Sequence, residues 1–216
     1  MSLQYNFIEA RQGQQNIVIM LHGYGSSMDD LTSLSLMFNN LPNTSFVIPN
    51  APNHCDQGIG FQWFPLYVDH NDEITFESSE IKESQDILEE FINKIALEHK
   101  CLHNRITLFG FSQGGILSLN YGLYGSKALN GLICHSGLLA IDDSQTINNL
   151  EKNIFIVHGK ADDVVKYGFI EETMLFLNKS NIPYKSFIKD SLAHSVDEET
   201  IAKVEQFIID SLLPKE

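Results

Sequence analysis

The chain has 216 residues, of which 43% are hydrophobic and 19% charged, a balance suited to a globular protein that buries a core without staples. Its formal net charge of −14 argues against a nucleic-acid binder and against electrostatic attachment to anionic membranes. Three widely spaced cysteines, Cys55, Cys101 and Cys134, make no disulfide framework and fit a reducing compartment. Met1 to Tyr5 carries no basic-then-apolar leader, and no apolar run approaches the length of a membrane span. A cytoplasmic protein without stable membrane insertion is expected.

Leu3 to Ile8 predicts a first strand at a sheet edge, and Gln12 to Gln15 a polar turn. Asn16 to Leu21 is a continuous apolar run, the pattern of a strand covered on both faces. It ends in a glycine-rich loop, His22-Gly23-Tyr24-Gly25-Ser26-Ser27. Asp29 or Asp30 can cap a helix running through Leu31, Leu34 and Phe38 to Leu41. Ser45 to Pro49 reads as another buried strand. From Asn50 to Glu77 the periodicity fails, and Pro52, Gly58, Gly60 and Pro65 punctuate a long segment. Its aromatics, Phe61, Trp63, Phe64, Tyr67 and Phe76, argue for an ordered, functional loop.

Ser79 can cap the next helix, whose stripe is Ile81, Leu88, Phe91, Ile92 and Ile95. Strands are expected at Arg105 to Phe111, Leu129 to Cys134, Asn153 to Val157 and Tyr184 to Ile188. Helices are expected after Ser112, from Tyr167 to Asn178, and after a capping box at Ser195-Val196-Asp197-Glu198. In the last helix Ile201, Val204, Ile208 and Leu212 face inward. Buried strands alternating with helices imply an α/β fold, a mostly parallel central sheet flanked by helices on both faces, in one domain over 1–216. Sites in such sheets form at the carboxyl ends of the strands.

One of those ends carries Gly110-Phe111-Ser112-Gln113-Gly114-Gly115. An apolar strand runs straight into an apolar helix there, so the chain reverses within about two residues and Ser112 sits on a strained turn. Gly110 and Gly114 remove Cβ atoms where strand and helix backbones crowd, and Gly115 eases the same packing. A serine hydroxyl needs a base within hydrogen-bond reach, and the base needs a carboxylate to fix its tautomer. Asp162 follows the fifth expected internal strand and His194 the sixth. The chain order Ser, Asp, His is the one this kind of sheet uses. Two backbone N–H groups can face a developing oxyanion, Gln113 at the helix start and Tyr24 in the first glycine-rich loop.

Leu21-His22-Gly23-Tyr24-Gly25, Gly110 to Gly115, His158-Gly159-x-x-Asp162 and the late His194 together resemble the carboxylesterase, lysophospholipase and acyl-protein thioesterase family of α/β-hydrolases. The likeness covers nearly the whole chain and includes the lack of a large lid domain. Phe61-Gln62-Trp63-Phe64-Pro65 is similar to the Trp-containing loop of bacterial members. The resemblance implies hydrolysis of acyl esters or thioesters through an acyl-enzyme, with no cofactor and no metal. Carried over by motif, Ser112 is nucleophile, Asp162 orienter and His194 base, with the Tyr24 and Gln113 N–H groups as oxyanion hole. Lys160, Asp163 and Lys166 depart from the family pattern, and Asp163 leaves the choice of acid open.

Phe61, Trp63, Phe64 and Leu66 are the candidate lining of an apolar acyl channel, with plain core packing as the alternative. His22, His135 and His158 are read as supports for the loops under the site. His99 and His103, with Cys101 between, are read as a solvated helix end and not a metal site. Cys55, in a loop, is a candidate reactive thiol. The expected partner is a small-molecule or lipid acyl ester, or an acylated protein, and a homodimer is compatible. A non-catalytic ligand-binding module on the same scaffold is the alternative function.

Overall fold

Strands that alternate with helices along the chain assemble into one seven-stranded sheet in the computed structural model, which describes residues 3–11, 13–55, 58–68, 74–142, 144–148 and 150–212. Met1 and Ser2 of the expected leaderless start, Gln12 of the polar turn, and 56–57 and 69–73 of the long loop lie outside the described residues. In chain order the elements are β1 (Tyr5–Ile8), β2 (Asn16–Leu21), α1 (Met28–Ser35), β3 (Thr44–Pro49), β4 (Asn53–His54) and β5 (Phe61–Gln62). Next come β6 (Tyr67–Val68), β7 (Ile74–Thr75), α2 (Ser78–Glu98), β8 (Ile106–Phe111), α3 (Gln113–Tyr124) and β9 (Gly131–His135). The chain closes with β10 (Ile154–Gly159), α4 (Tyr167–Lys179), β11 (Tyr184–Lys189) and α5 (Glu198–Leu212).

The sheet order is β1-β3-β2-β8-β9-β10-β11. Only the β1–β3 pair is antiparallel; β2–β3, β2–β8, β8–β9, β9–β10 and β10–β11 are parallel. The period of two along each strand divides the core. Ile17, Ile19 and Leu21 share one face with Leu108, Cys134 and Ile156, under α2, α3 and α4. Val18 and Met20 share the other with Phe109, Ile133 and Val157, under α1 and α5. Because both faces are covered, every residue of β2, β3 and β10 is buried, which is why Ile17 to Leu21, Phe46 to Ile48 and Ile154 to Val157 read as unbroken apolar stretches. Strand order reverses between β2 and β8, and the crevice at the carboxyl ends of these two strands is where ligands bind in open parallel sheets.

Strand ends shift by one or two residues, and four helix ends or caps differ from expectation. α1 ends at Ser35, not Leu41, because Glu205 of α5 captures Asn40 through its backbone N–H (2.6 Å) and its side-chain amide (2.8 Å). Its cap is Ser27, not Asp29 or Asp30; the Asp30 carboxylate reaches back to the Ser27 N–H at 3.0 Å. α2 begins after Glu77, so Ser79 lies inside its first turn. At α5 the reciprocal pair is Asp197 with Thr200: the Thr200 N–H donates to Asp197 at 2.9 Å, and the Asp197 N–H to Thr200 Oγ1 at 3.1 Å. The long loop contains two short antiparallel ladders, β4–β5 and β6–β7, too brief to leave a periodic signal.

β8 and α3 cross at a distance set by glycine. A Cβ at Gly110 would lie 2.0 Å from the Gly114 carbonyl oxygen, and one at Gly114 would lie 2.1 Å from that of Leu21. Neither neighbour is a movable side chain tip. Gly110→Ala should therefore lose about 3 kcal/mol or more of stability. Urea denaturation at neutral pH would show it as a fall in midpoint, and an unchanged midpoint would refute the crowding argument.

Candidate active site

Ser112 closes β8 at φ 54° and ψ −118°, a left-handed backbone that an L-residue adopts only under constraint. Its N–H is tied to the His135 carbonyl at 2.9 Å, and its own carbonyl accepts the Ile116 N–H at 3.0 Å. The turn therefore holds a strained residue with its backbone satisfied and its side chain directed out of the sheet edge. His194 reaches it from the loop after β11: Nε2 lies 3.0 Å from Ser112 Oγ, and Nδ1 lies 2.8 Å from Asp162 Oδ2. A carboxylate can only accept, so Nδ1 carries the proton and Nε2 presents its lone pair to the hydroxyl. Phe111 packs against the imidazole with ring centroids 5.0 Å apart.

Asp162 is buried, and burial alone would raise its pKa. Its hydrogen bonds outweigh that. His194 binds Oδ2, and the N–H groups of Val164 (3.0 Å) and Val165 (2.8 Å) bind Oδ1, so the carboxyl is held below the usual range and stays ionised. Asp163, the other candidate acid, is exposed. The His194 loop is pinned from below. The Ala161 N–H donates to the Leu192 carbonyl at 3.2 Å, and a Cβ on Gly159 would lie 1.9 Å from that same oxygen. Lys189 fastens the far end, 2.6 Å from both Asp197 and Glu199.

The first glycine-rich loop lies against the serine: a Cβ on Gly23 would stand 3.2 Å from Ser112 Cβ. Tyr24 is thus next to the turn on one side and Gln113, the first residue of α3, on the other. The Gln113 N–H belongs to the first turn of a helix, where backbone donors have no helical partner and the dipole favours negative charge. The structure brings Ser112, Asp162, His194, Tyr24 and Gln113 to one sheet edge. It treats the expected channel residues differently. Phe61 and Leu66 are half-buried, whereas Trp63 is 1% exposed and Phe64 likewise belongs to the core cluster. The cleft these two border lies against α2, beside Glu83, Ser84 and Ile87.

Three histidines hold the loops from beneath. His22 donates from Nδ1 to the Gly23 carbonyl at 2.8 Å and accepts the Ala51 N–H on Nε2 at 3.0 Å, which requires the neutral ring. His158 donates from Nε2 to the Val165 carbonyl at 2.8 Å; its 3.7 Å approach to Asp162 is no ion pair, because burial keeps the ring neutral. His135 lies beneath Phe111, its Nδ1 3.1 Å from Ser136 Oγ. Elsewhere, His99 stacks on Phe7 and His103 bonds Asn93, and no group of three or more metal-ligating side chains occurs among the described residues. Cys55 is buried, like Cys101 and Cys134, which removes the exposure a reactive thiol needs.

The parallel sheet, the strained serine at its switch point and the loops that meet there define the α/β-hydrolase fold, with no large lid domain among the described residues. The phospholipase/carboxylesterase family model matches residues 4–212, and the chain belongs to that family of ester-hydrolysing enzymes. Acyl-protein thioesterase 1 of Debaryomyces hansenii is 29% identical over 92% of this chain and 92% of its own length. The protein of that name from Candida albicans is 28% identical over 88% and 90%. Among solved structures, esterase PE8 superposes with a TM-score of 0.89 at 25% identity, covering 98% of this chain and all of that one. The Bacillus cereus carboxylesterase shares the fold at a TM-score of 0.82 and 19% identity, over 97% and 95%.

Burial lowers the pKa of His22 and His158, and pushes His135 down to about 3. Their folded values lie below the unfolded value near 6.5, so the unfolded chain takes up protons that the fold refuses. Their stabilisation is complete above about pH 6.5 and is lost progressively as pH falls below it. The urea midpoint should drop between pH 7 and pH 5, and His135→Gln should flatten the drop by about one proton's worth. Equal slopes in the two proteins would show that His135 does not contribute.

Proposed function

We propose that this chain is a serine hydrolase that cleaves acyl esters or thioesters through an acyl-enzyme, with Ser112 as nucleophile, His194 as general base and Asp162 as its orienting carboxylate. The unbroken relay carries the proposal: Ser112 Oγ to His194 Nε2 at 3.0 Å, and His194 Nδ1 to Asp162 at 2.8 Å. Ser112 Oγ attacks the acyl carbonyl while His194 takes its proton, and the ionised Asp162 stabilises the imidazolium. The oxyanion rests on the Tyr24 and Gln113 N–H groups. His194 then protonates the departing alcohol or thiol, and the same base activates water to release the acid. No metal or cofactor enters this sequence.

Thioester cleavage, including of acylated proteins, is proposed because two relatives matched along most of the chain carry the name acyl-protein thioesterase. Phe61 and Leu66 are proposed to meet the acyl group, with Trp63 and Phe64 supporting them from behind. We place the enzyme in the cytoplasm, as a single catalytic domain; no described helix is long and apolar enough to cross a membrane.

A fluorophosphonate probe should label the protein at Ser112, and Ser112→Ala should lower ester turnover by about a thousandfold or more. Turnover of p-nitrophenyl esters of graded length, beside an acyl-CoA and a lysophospholipid, would then rank acyl chain and leaving group. A Ser112→Ala variant with most of its turnover intact, or a protein that resists the probe, would leave a binding module on this scaffold as the better account.

A further inference from the structure

The side chain of Gln113 makes two hydrogen bonds far from its own helix. Its Oε1 accepts the Trp63 N–H at 2.9 Å, and its Nε2 donates to the Phe64 carbonyl at 2.7 Å. A primary amide used this way behaves like a peptide group, donating to one backbone position and accepting from its neighbour. Each of its polar atoms bonds the backbone of the 63–64 segment and the residue is buried, so its side chain is committed to that segment.

The same short segment is bound to the other side of the site. The Trp63 indole N–H donates to the His22 carbonyl at 2.9 Å, one residue before Gly23. Phe61 pairs with the glycine-rich loop directly: its N–H donates to the Ser26 carbonyl at 2.9 Å, and its carbonyl accepts the Gly25 N–H at 3.0 Å. Gly60 seals the contact, since a Cβ there would lie 2.1 Å from the Gly25 carbonyl oxygen. Ser84 of α2 fixes the segment to the body of the protein by donating to the Trp63 carbonyl at 2.5 Å. Residues 61–64 therefore connect the backbone around Tyr24 to the side chain of Gln113 through hydrogen bonds on both flanks.

We propose that the Phe61–Phe64 segment sets the separation of the two oxyanion donors, and that the Gln113 side chain and the Trp63 indole are its positioning residues. This rests on the catalytic reading above. Two N–H groups from distant parts of the chain stabilise an oxyanion only when both stand about 2.7–3.1 Å from where its charge develops. The relay of Ser112, His194 and Asp162 shares none of these bonds. Loss of the Gln113 latch would leave the relay intact and spoil the hole, a defect felt more by the transition state than by the bound ester.

Gln113→Met removes both latch bonds and keeps the backbone N–H and the volume; Trp63→Phe removes the indole link alone. Trp63 is the single tryptophan of the chain, so its emission reports on the segment directly. Gln113→Met should keep its circular dichroism spectrum and show red-shifted Trp63 emission. Its kcat should fall roughly 10–100-fold with KM within about threefold, since deleting a whole oxyanion donor costs about 100–1,000-fold. Affinity for an alkyl trifluoromethyl ketone should fall by the same factor. Ser112 Oγ adds to that ketone, the carbonyl π pair becomes the oxyanion, and the serine proton passes to His194. Trp63→Phe, which leaves no tryptophan emission to read, should lower kcat and ketone affinity less, and the double variant should lose less than the product of the two. A folded Gln113→Met with wild-type kcat and ketone affinity, or with a change in KM alone, overturns the proposal; if that variant does not fold, the same readouts on Trp63→Phe decide it. Persistence of turnover in Ser112→Ala would instead overturn the catalytic reading itself.

Discussion

The site depends on three backbone segments lying closer together than any side chain permits. The end of β2, the end of β8 and the first turn of α3 meet where Gly110, Gly114 and Gly23 face Gly114, Leu21 and Ser112. At Gly110 and Gly114 such contact is possible only with hydrogen in place of Cβ, while a Cβ at Gly23 would crowd Ser112 Cβ at 3.2 Å. Its consequence is geometric. The amino end of α3 is drawn down onto the crevice between β2 and β8, so the helix dipole, the serine and the first glycine-rich loop share one small volume. The remaining parts need only reach this point. Asp162 and His194 do so from the loops after β10 and β11, each past the carboxyl end of its own strand.

Among the polar groups buried under the crevice, three histidines are held neutral and Asp162 is held charged. Each of the three histidines is lowered by burial, so each offers a lone pair or an N–H without bringing charge into the core. Asp162 is the exception, a buried carboxylate kept ionised by three hydrogen bonds. A neutral His158 beside it competes with none of them, because its proton goes to Val165. The negative charge is thus directed to one recipient, the Nδ1 side of His194. This is the arrangement in which a carboxylate fixes a tautomer and favours the imidazolium that forms opposite it.

The features legible in the amino-acid sequence were those written in local periodicity and in backbone-forced residues. Ile17 to Leu21 and Ile154 to Val157 are apolar throughout because both faces are buried, and the spacing of Ile81, Leu88, Phe91, Ile92 and Ile95 matches one helix face. Gly110 and Gly114 announce a close crossing whatever surrounds them. The illegible features were settled by long-range hydrogen bonds. Nothing near Asn40 indicates that Glu205 will end α1 early. Nothing near Gln113 indicates that its amide will bind the backbone of residues 63 and 64. The aromatic loop left channel lining and core packing both open for a related reason. Trp63 and Phe64 are apolar enough to line a channel, and composition alone does not reveal that α2 and the core take them first.

The strain at Ser112 has a counterpart one strand further along. Ser136, just past β9, also stands at positive φ, 53° against 54° for Ser112. Each donates its N–H to the neighbouring strand, Ser112 to His135 on β9 and Ser136 to Val157 on β10, both at 2.9 Å. The sheet therefore binds each residue at the position where its strand stops, and the left-handed turn is made with the donor already satisfied. A left-handed non-glycine residue costs on the order of 1–3 kcal/mol, and a satisfied N–H in a buried sheet offsets part of it. At Ser136 the turn only leads the chain away. At Ser112 the helix begins at once, so the same local device leaves a hydroxyl on the crevice with His194 beside it. A structural turn and a candidate nucleophile thus differ in the element that succeeds them, and glycine at 114 and 115 is what lets α3 start so close to the strand.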